Sequence, residues 1–225
     1  MEGSNTKAVC EQIKNKMELK KLVYNNIEAS FELLNAIAKI YPKKFHELYP
    51  HSDVEVKYEY KQSMSFRLRF GSDILYFALH SNIYEFSRDH ELMKTPYIRE
   101  DKERSYCGMI SIYNFLTDSV LYSRPNDVGY LIGRIFVNKE NHCYIDGKRE
   151  IGQVYNNFNT TVFDNDFAIL ILEAAIQYTV NFDLLVPPYE MMKEISINDM
   201  LEFDNKQLPF RTGKRLGFRF QADIQ

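Results

Sequence analysis

The chain has 225 residues, 45% of them hydrophobic and 26% charged, the balance of a folded globular protein, which excludes the disordered, fibrous and collagen-like classes. Its 28 basic and 31 acidic residues leave a formal charge of −3, so no global field of either sign draws in nucleic acid or an anionic membrane, and such a partner would need a local patch. Three cysteines, Cys10, Cys107 and Cys143, are odd in number and far apart, which makes neither a disulfide framework nor a metal knuckle and points to free thiols in a reducing compartment.

At this length one compact unit is expected, with an N-terminal helical segment over 1–50 and an α+β core over 51–225. The opening residues, MEGSNTKAVCEQIKNK, mix charge with small polar side chains and lack the apolar core of a signal peptide, so the expected location is the cytoplasm. Ile27, Phe31, Leu34 and Ala38 recur at helical spacing. Asn25 and Asn26 are the expected break between two helices, and Pro42 and Pro50 bracket a separate helical turn over 45–49. The lysines between 7 and 21 alternate with Glu11 and Glu18, the pattern of a solvated helix face.

From residue 54 the period changes to two. Val54, Val56, Tyr58 and Tyr60 alternate with charge, then Met64, Phe66, Leu68 and Phe70 do the same. Gly71-Ser72-Asp73 turns the chain into a third strand over 74–79, and Ser81-Asn82 into a fourth over 83–86, a meander. The charge-dense stretch 87–105, with Pro96, reads as a loop or excursion. Strands follow over 107–115, 129–137 and 142–145. Asp146-Gly147 matches a type I′ hairpin turn into a last strand over 149–155, about eight strands in all. An apolar helix is expected over 167–178, capped by Asp164 or Asn165, with Glu173 and Gln177 along its wet edge. Pro187-Pro188 ends it, a last short helix begins near Ser196, and the tail over 205–221 is irregular or a closing strand.

Helices, then an antiparallel sheet, then a long apolar helix packed on it make an α+β fold; parallel architectures fail for want of crossover helices between 54 and 155. The apolar stretch 167–186 contains Glu173, Gln177, Asn181 and Asp183, too polar for a span of roughly 20 residues through lipid, so no membrane is expected.

No short catalytic or cofactor motif is present. Gly213-Lys214-Arg215 and Gly147-Lys148-Arg149 have Leu208 and His142 where a phosphate-binding loop needs glycine, and Arg where it needs Ser or Thr. The five histidines, His46, His51, His80, His90 and His142, match no metal-ligand spacing, so no metal and no cofactor are expected. The most polarised segment lies near the C-terminus. There Lys206, Arg211, Lys214, Arg215 and Arg219 occur without an acid and interleave with Phe210, Phe218 and Phe220, a composition able to follow a phosphate backbone and stack on bases. The plainer account is a basic tail over an acidic surface, its Phe residues completing the core.

The leading expectation is therefore a non-catalytic cytoplasmic accessory protein. It would bind a protein, a second copy of itself or nucleic acid through Arg211, Lys214, Arg215 and Arg219, aided by Lys148 and Arg149. One alternative is a small-ligand sensor, with a cavity between helix 167–180 and the sheet lined by Tyr76, Tyr84, Tyr113, Tyr130 and Glu173. Another is a motif-less enzyme acting on phosphodiesters or nucleotides, for which His80, His90 and Arg99 are the candidates, with His80 meeting His90, Asp89 or Glu91 in space.

Overall fold

The computed structural model describes residues 2–125, 127–147, 151, 157–182, 186, 189–194, 196–197 and 200. A single helix, α1 (Glu2–Leu48), opens the chain. Leu19, Val23, Ile27, Phe31, Leu34 and Ala38 form its buried stripe, all but Leu19 without solvent exposure. The expected break at Asn25 and Asn26 does not occur. Asn26 faces the sheet, where its amide donates to the carbonyls of Asn138 and Lys139, each at 3.0 Å. The turn over 45–49 is likewise the end of α1. Pro42 lies inside the helix so near its C-terminus that the missing donor costs little of the hydrogen-bond ladder.

The sheet comprises β1 (Val56–Gln62), β2 (Ser65–Phe70), β3 (Asp73–Leu79), β4 (Tyr84–Glu85), β5 (Tyr106–Leu116), β6 (Tyr130–Asn138) and β7 (Cys143–Gly147). These seven strands are antiparallel in the order β1-β2-β3-β5-β6-β7, and β4 pairs with the first residues of β5 instead of continuing the meander from β3. Gly71, at φ +56°, makes the β2–β3 turn. Of the eighth strand expected over 149–155 only Ile151 is among the described residues, and it is helical and fully buried. Asp146-Gly147 makes no hairpin turn. Gly147 pairs with Gly133 inside the sheet, and a Cβ there would meet the Ile132 carbonyl at 2.9 Å, so its glycine serves close backbone approach. The outer side of β7 is already taken, by the bond from Cys143 N to Thr161 O and the bridge between His142 and Val162.

Helix α2 (Pro96–Glu100) belongs to the excursion before β5, and α3 (Thr117–Leu121) follows β5. The apolar helix α4 (Asn165–Val180) starts as the sequence predicts, with Asp164 Oδ1 accepting from Phe167 N at 2.9 Å. It lies beside α1 on one face of the sheet. Phe66, Leu68, Leu75, Phe77, Ile110, Ile112 and Ile135 from the strands meet Ile27, Phe31 and Leu34 of α1 and Ile171, Leu172 and Ala175 of α4 in one core. Phe66 is the hub of its aromatic part, stacked on Phe77 at 4.6 Å and tilted against Phe31 at 5.3 Å. α1 approaches β5 so closely that a Cβ on Gly108 would sit 2.3 Å from Cγ2 of Ile27. Glu173 and Gln177 are exposed, the wet edge expected, and Tyr41 of α1 donates to Glu173 Oε1 at 2.8 Å. Among the described residues no helix is long and apolar enough to cross a membrane.

The excursion over 86–105 is an ordered strap across one end of the opposite face. Phe86 and Ile98 pack there on Met109, Phe136 and Phe158. Its polar anchor is the β6–β7 turn. Asn138, fully buried, donates to the Tyr97 hydroxyl at 2.9 Å and the Arg104 carbonyl at 3.2 Å, and accepts from the backbone N–H groups of Glu140 and His142. Tyr97 and Arg104 both donate to Glu140, while Lys139 pairs with Asp101 and Glu103 at 2.7 Å. The charge density of 87–105 marks this ring of ion pairs, where sequence alone reads a loop.

Candidate functional site: the open face of the sheet

Side chains alternate along each strand, so whatever does not enter the two-helix core emerges on the other face. Among the described residues no helix covers that face beyond the strap. Two rows cross it in register: Glu59, Arg67, Tyr76, Tyr113 and Leu131, then Ser65, Ala78, Ser111, Arg134 and Asp146. Tyrosines occupy the central strands and arginines the flanks. Each guanidinium has its own carboxylate: Arg67 donates to Glu59, its Nε at 2.7 Å, Arg69 to Glu55 at 2.6 Å, and Arg134 to Asp146, its Nε at 3.0 Å. Tyr76 and Tyr113 both lean on Phe115, and Leu131 beside them is 42% exposed, large for a leucine in a sheet.

His80, just past β3, shares a 2.9 Å hydrogen bond with Ser111 Oγ through Nε2 and a longer contact of 3.4 Å with Tyr84 through Nδ1. Burial lowers its pKa, so the ring is neutral at neutral pH. The arrangement resembles a nucleophile beside a base, but Ser111 is 2% exposed and covered by the ring it bonds; the contact satisfies a buried hydroxyl. Because the folded chain holds the His80 proton less tightly than the unfolded one, the unfolded state binds more protons below the ordinary histidine value, and stability falls as pH drops through that range. The urea midpoint of the wild type should therefore fall between about pH 7.5 and about pH 5.5, and His80→Gln should flatten the difference. Equal slopes in the two proteins would show that His80 does not contribute.

His80 meets none of His90, Asp89 and Glu91 in the hydrogen bonds or ring contacts it makes. His90 reaches the same face by way of the strap, stacked on Phe86 at 4.7 Å, with its Nδ1 accepting from Leu92 N at 3.3 Å. Arg99 is exposed on α2. The three candidates therefore lie in different surroundings, and no carboxylate is hydrogen-bonded to either imidazole. The residues expected around a helix–sheet cavity are divided by the sheet itself. Tyr76, Tyr84 and Tyr113 lie on the open face, whereas Tyr130 and Glu173 lie on the helix side, where the core side chains are buried.

Cys107 and Cys143 are buried, and burial raises both thiol pKa values, with Asp164 adding to the effect at Cys143. Among the described residues no group of three or more His, Cys, Asp or Glu is placed to hold a metal ion. Lys148, Arg149, Arg211, Lys214, Arg215 and Arg219 lie outside the described residues. Sequence reasoning missed Ser111, Arg134 and Arg67. Their signal was the alternation of polar residues between apolar ones in strands already recognised. Comparison with family models, with curated proteins and with solved structures finds no match to this chain.

Proposed function

We propose that the chain is a non-catalytic cytoplasmic binding protein whose partner is another protein, seated on the open face of the sheet. The observation that carries this reading is the strip of Tyr76, Tyr113, Tyr84 and Leu131 between arginines that are already neutralised. Tyrosine and arginine are the side chains that most often anchor protein interfaces, being large, ordered and amphipathic. A phosphate backbone needs unpaired cations, and Arg67, Arg69 and Arg134 each have a carboxylate at hand. The basic aromatic tail with Arg211, Lys214, Arg215 and Arg219, and with it Lys148 and Arg149, is the place from which a nucleic-acid contribution would come.

A photo-crosslinking side chain at Leu131, introduced in the native host, tests the reading. One discrete protein adduct is expected from Leu131 and none from the same group at Lys39, on the outer face of α1. With that partner purified, Tyr113→Ala should weaken its binding about tenfold or more, with no change in fold. An adduct carrying nucleic acid, or affinity falling steeply with salt and unaffected by Tyr113→Ala, would replace this reading by a nucleic-acid one and move attention to Lys214 and Arg215.

A further inference from the structure

We infer that the cleft at the C-terminal end of α1 is a binding site for a small alkylguanidinium, a flat cation on a short apolar stem. Pro42, Phe45, His46 and Tyr49, spaced by three and four along the end of the helix, form one wall, and the lead-in to β1 from Ser52 to Val56 forms the other. The space between them is about 360 Å³, within the range of small-ligand pockets. Local bonds fix the turn that joins the walls. Ser52 N donates to the Tyr49 carbonyl at 3.1 Å, and Ser52 Oγ accepts from Val54 N at 3.2 Å.

The sign of the ligand follows from the groups left unanswered there, which are carbonyls and a carboxylate. A helix leaves its last four carbonyls without partners inside it, and at this end Tyr49 N answers the first of them, that of Phe45, at 2.9 Å. The donor due to the His46 carbonyl would be the nitrogen of Pro50, which carries no hydrogen. Among the described residues no backbone N–H reaches the carbonyls of Glu47 and Leu48 either, so the negative end of α1 stands uncapped beside the cleft. Asp53 adds a full charge. Its carboxylate has no hydrogen-bond or ion-pair partner among the described residues, whereas Glu55, the other carboxylate of the cleft, is held by Lys57 and, at 2.6 Å, by Arg69. The lysines of the same helical turns are engaged, Lys43 with Glu47 at 3.7 Å and Lys44 over the Tyr41 ring. Shape narrows the cation further. Phe45 is half-buried and Tyr49 exposed, their ring centroids 5.4 Å apart, and Val54 and Val56 line the opposite wall. A hard metal ion needs many oxygen ligands and finds one free carboxylate, whereas a guanidinium stacks on a ring while donating in its own plane to a carboxylate.

Titration of the full chain with n-butylguanidinium at low salt, followed by amide NMR shifts, tests the site. Saturable shifts confined to the end of α1 and the lead-in to β1 are expected, with a Kd of about 1 mM for one exposed charge pair and ring stacking. The neutral n-butylurea, of the same shape, should bind at least about tenfold more weakly. Asp53→Asn should weaken n-butylguanidinium about fivefold, and Tyr49→Leu about threefold. Both side chains are exposed, so the melting temperature should stay unchanged and a loss of binding is not a loss of fold. Shifts scattered over the chain, an equal response to n-butylurea, indifference to Asp53→Asn, or the same amides moving with calcium chloride would each overturn the inference. So would much tighter binding of acetylarginine methylamide, which would assign the cleft to an arginine side chain of a protein partner.

Discussion

A single methyl group at Gly108 is expected to cost the fold about 3 kcal/mol, among the largest effects of so small a change. Gly108 lies in β5 directly under α1, and the added carbon would sit 2.3 to 2.9 Å from three carbons of Ile27. All of these are at the buried root of a β-branched side chain that cannot swing aside. The helix must lift or the strand must sink, and either loosens the seam from Leu19 to Ala38. The cause is specific to one neighbour, so it is separable. Ile27→Ala alone should cost about 2–4 kcal/mol through the cavity it leaves, yet the double variant Gly108→Ala/Ile27→Ala should be less destabilised than the sum by about 1 kcal/mol or more. Urea unfolding of the four proteins measures this directly. Additive costs would mean that the approach of α1 to β5 is not what holds Gly108.

The second large effect is expected at Asn138. Asn138→Leu conserves volume but removes four hydrogen bonds from a site without solvent. It leaves the N–H groups of Glu140 and His142 and the carbonyl of Arg104 without their partner, and deprives the Tyr97 hydroxyl of a donor. Stranded buried groups of this kind cost about 1–3 kcal/mol each when no water reaches them, and with partial relaxation a total loss of about 3–5 kcal/mol is expected. Asn138→Asp should also destabilise, because it turns an acceptor toward the Arg104 carbonyl and brings a second carboxylate near Glu140. Hydrogen exchange distinguishes the consequences: amides over 91–105 should lose protection before those of β2 and β3, as the strap detaches from its anchor. A loss under about 1 kcal/mol, or uniform exchange, would place the anchor elsewhere.

What the sequence made legible was whatever is local and periodic. Ile27, Phe31, Leu34 and Ala38 announce the buried stripe of α1, and the alternations around Phe66 and Leu68 announce half-buried strands. The polar cap of α4 is also visible as Asp164. Features set by distant neighbours were not legible. Asn26 resembles a helix breaker because its partners, the carbonyls of Asn138 and Lys139, are more than 100 positions away. Gly147 resembles a turn residue because a glycine required by a neighbouring carbonyl reads the same as one required by positive φ. The strap resembles a loop because its apolar anchors, Phe86 and Ile98, are few among many charges. The open face follows the same division. Its tyrosines and arginines were visible one strand at a time, but their meeting depends on the register between strands. The pairing of His80 with Ser111 rests on the two residues lying 31 positions apart in sequence and across one ladder in space. The basic tail, conspicuous in the sequence, falls outside the described residues and so leaves the leading sequence expectation where the residues alone put it.

The continuity of α1 gives the molecule a mechanical character. A helix of 47 residues is a stiff rod about 70 Å long, held against the sheet by its buried stripe from Leu19 to Ala38, and a load applied toward its N-terminal end acts on a lever. The fulcrum lies close to Asn26, whose amide grips the carbonyls of Asn138 and Lys139. That same turn carries the ring of bonds that fastens the strap across the far side of the sheet. Force on the rod is thereby delivered to a joint shared by both faces, and a tilt of the helix strains the fastening of the strap through that joint.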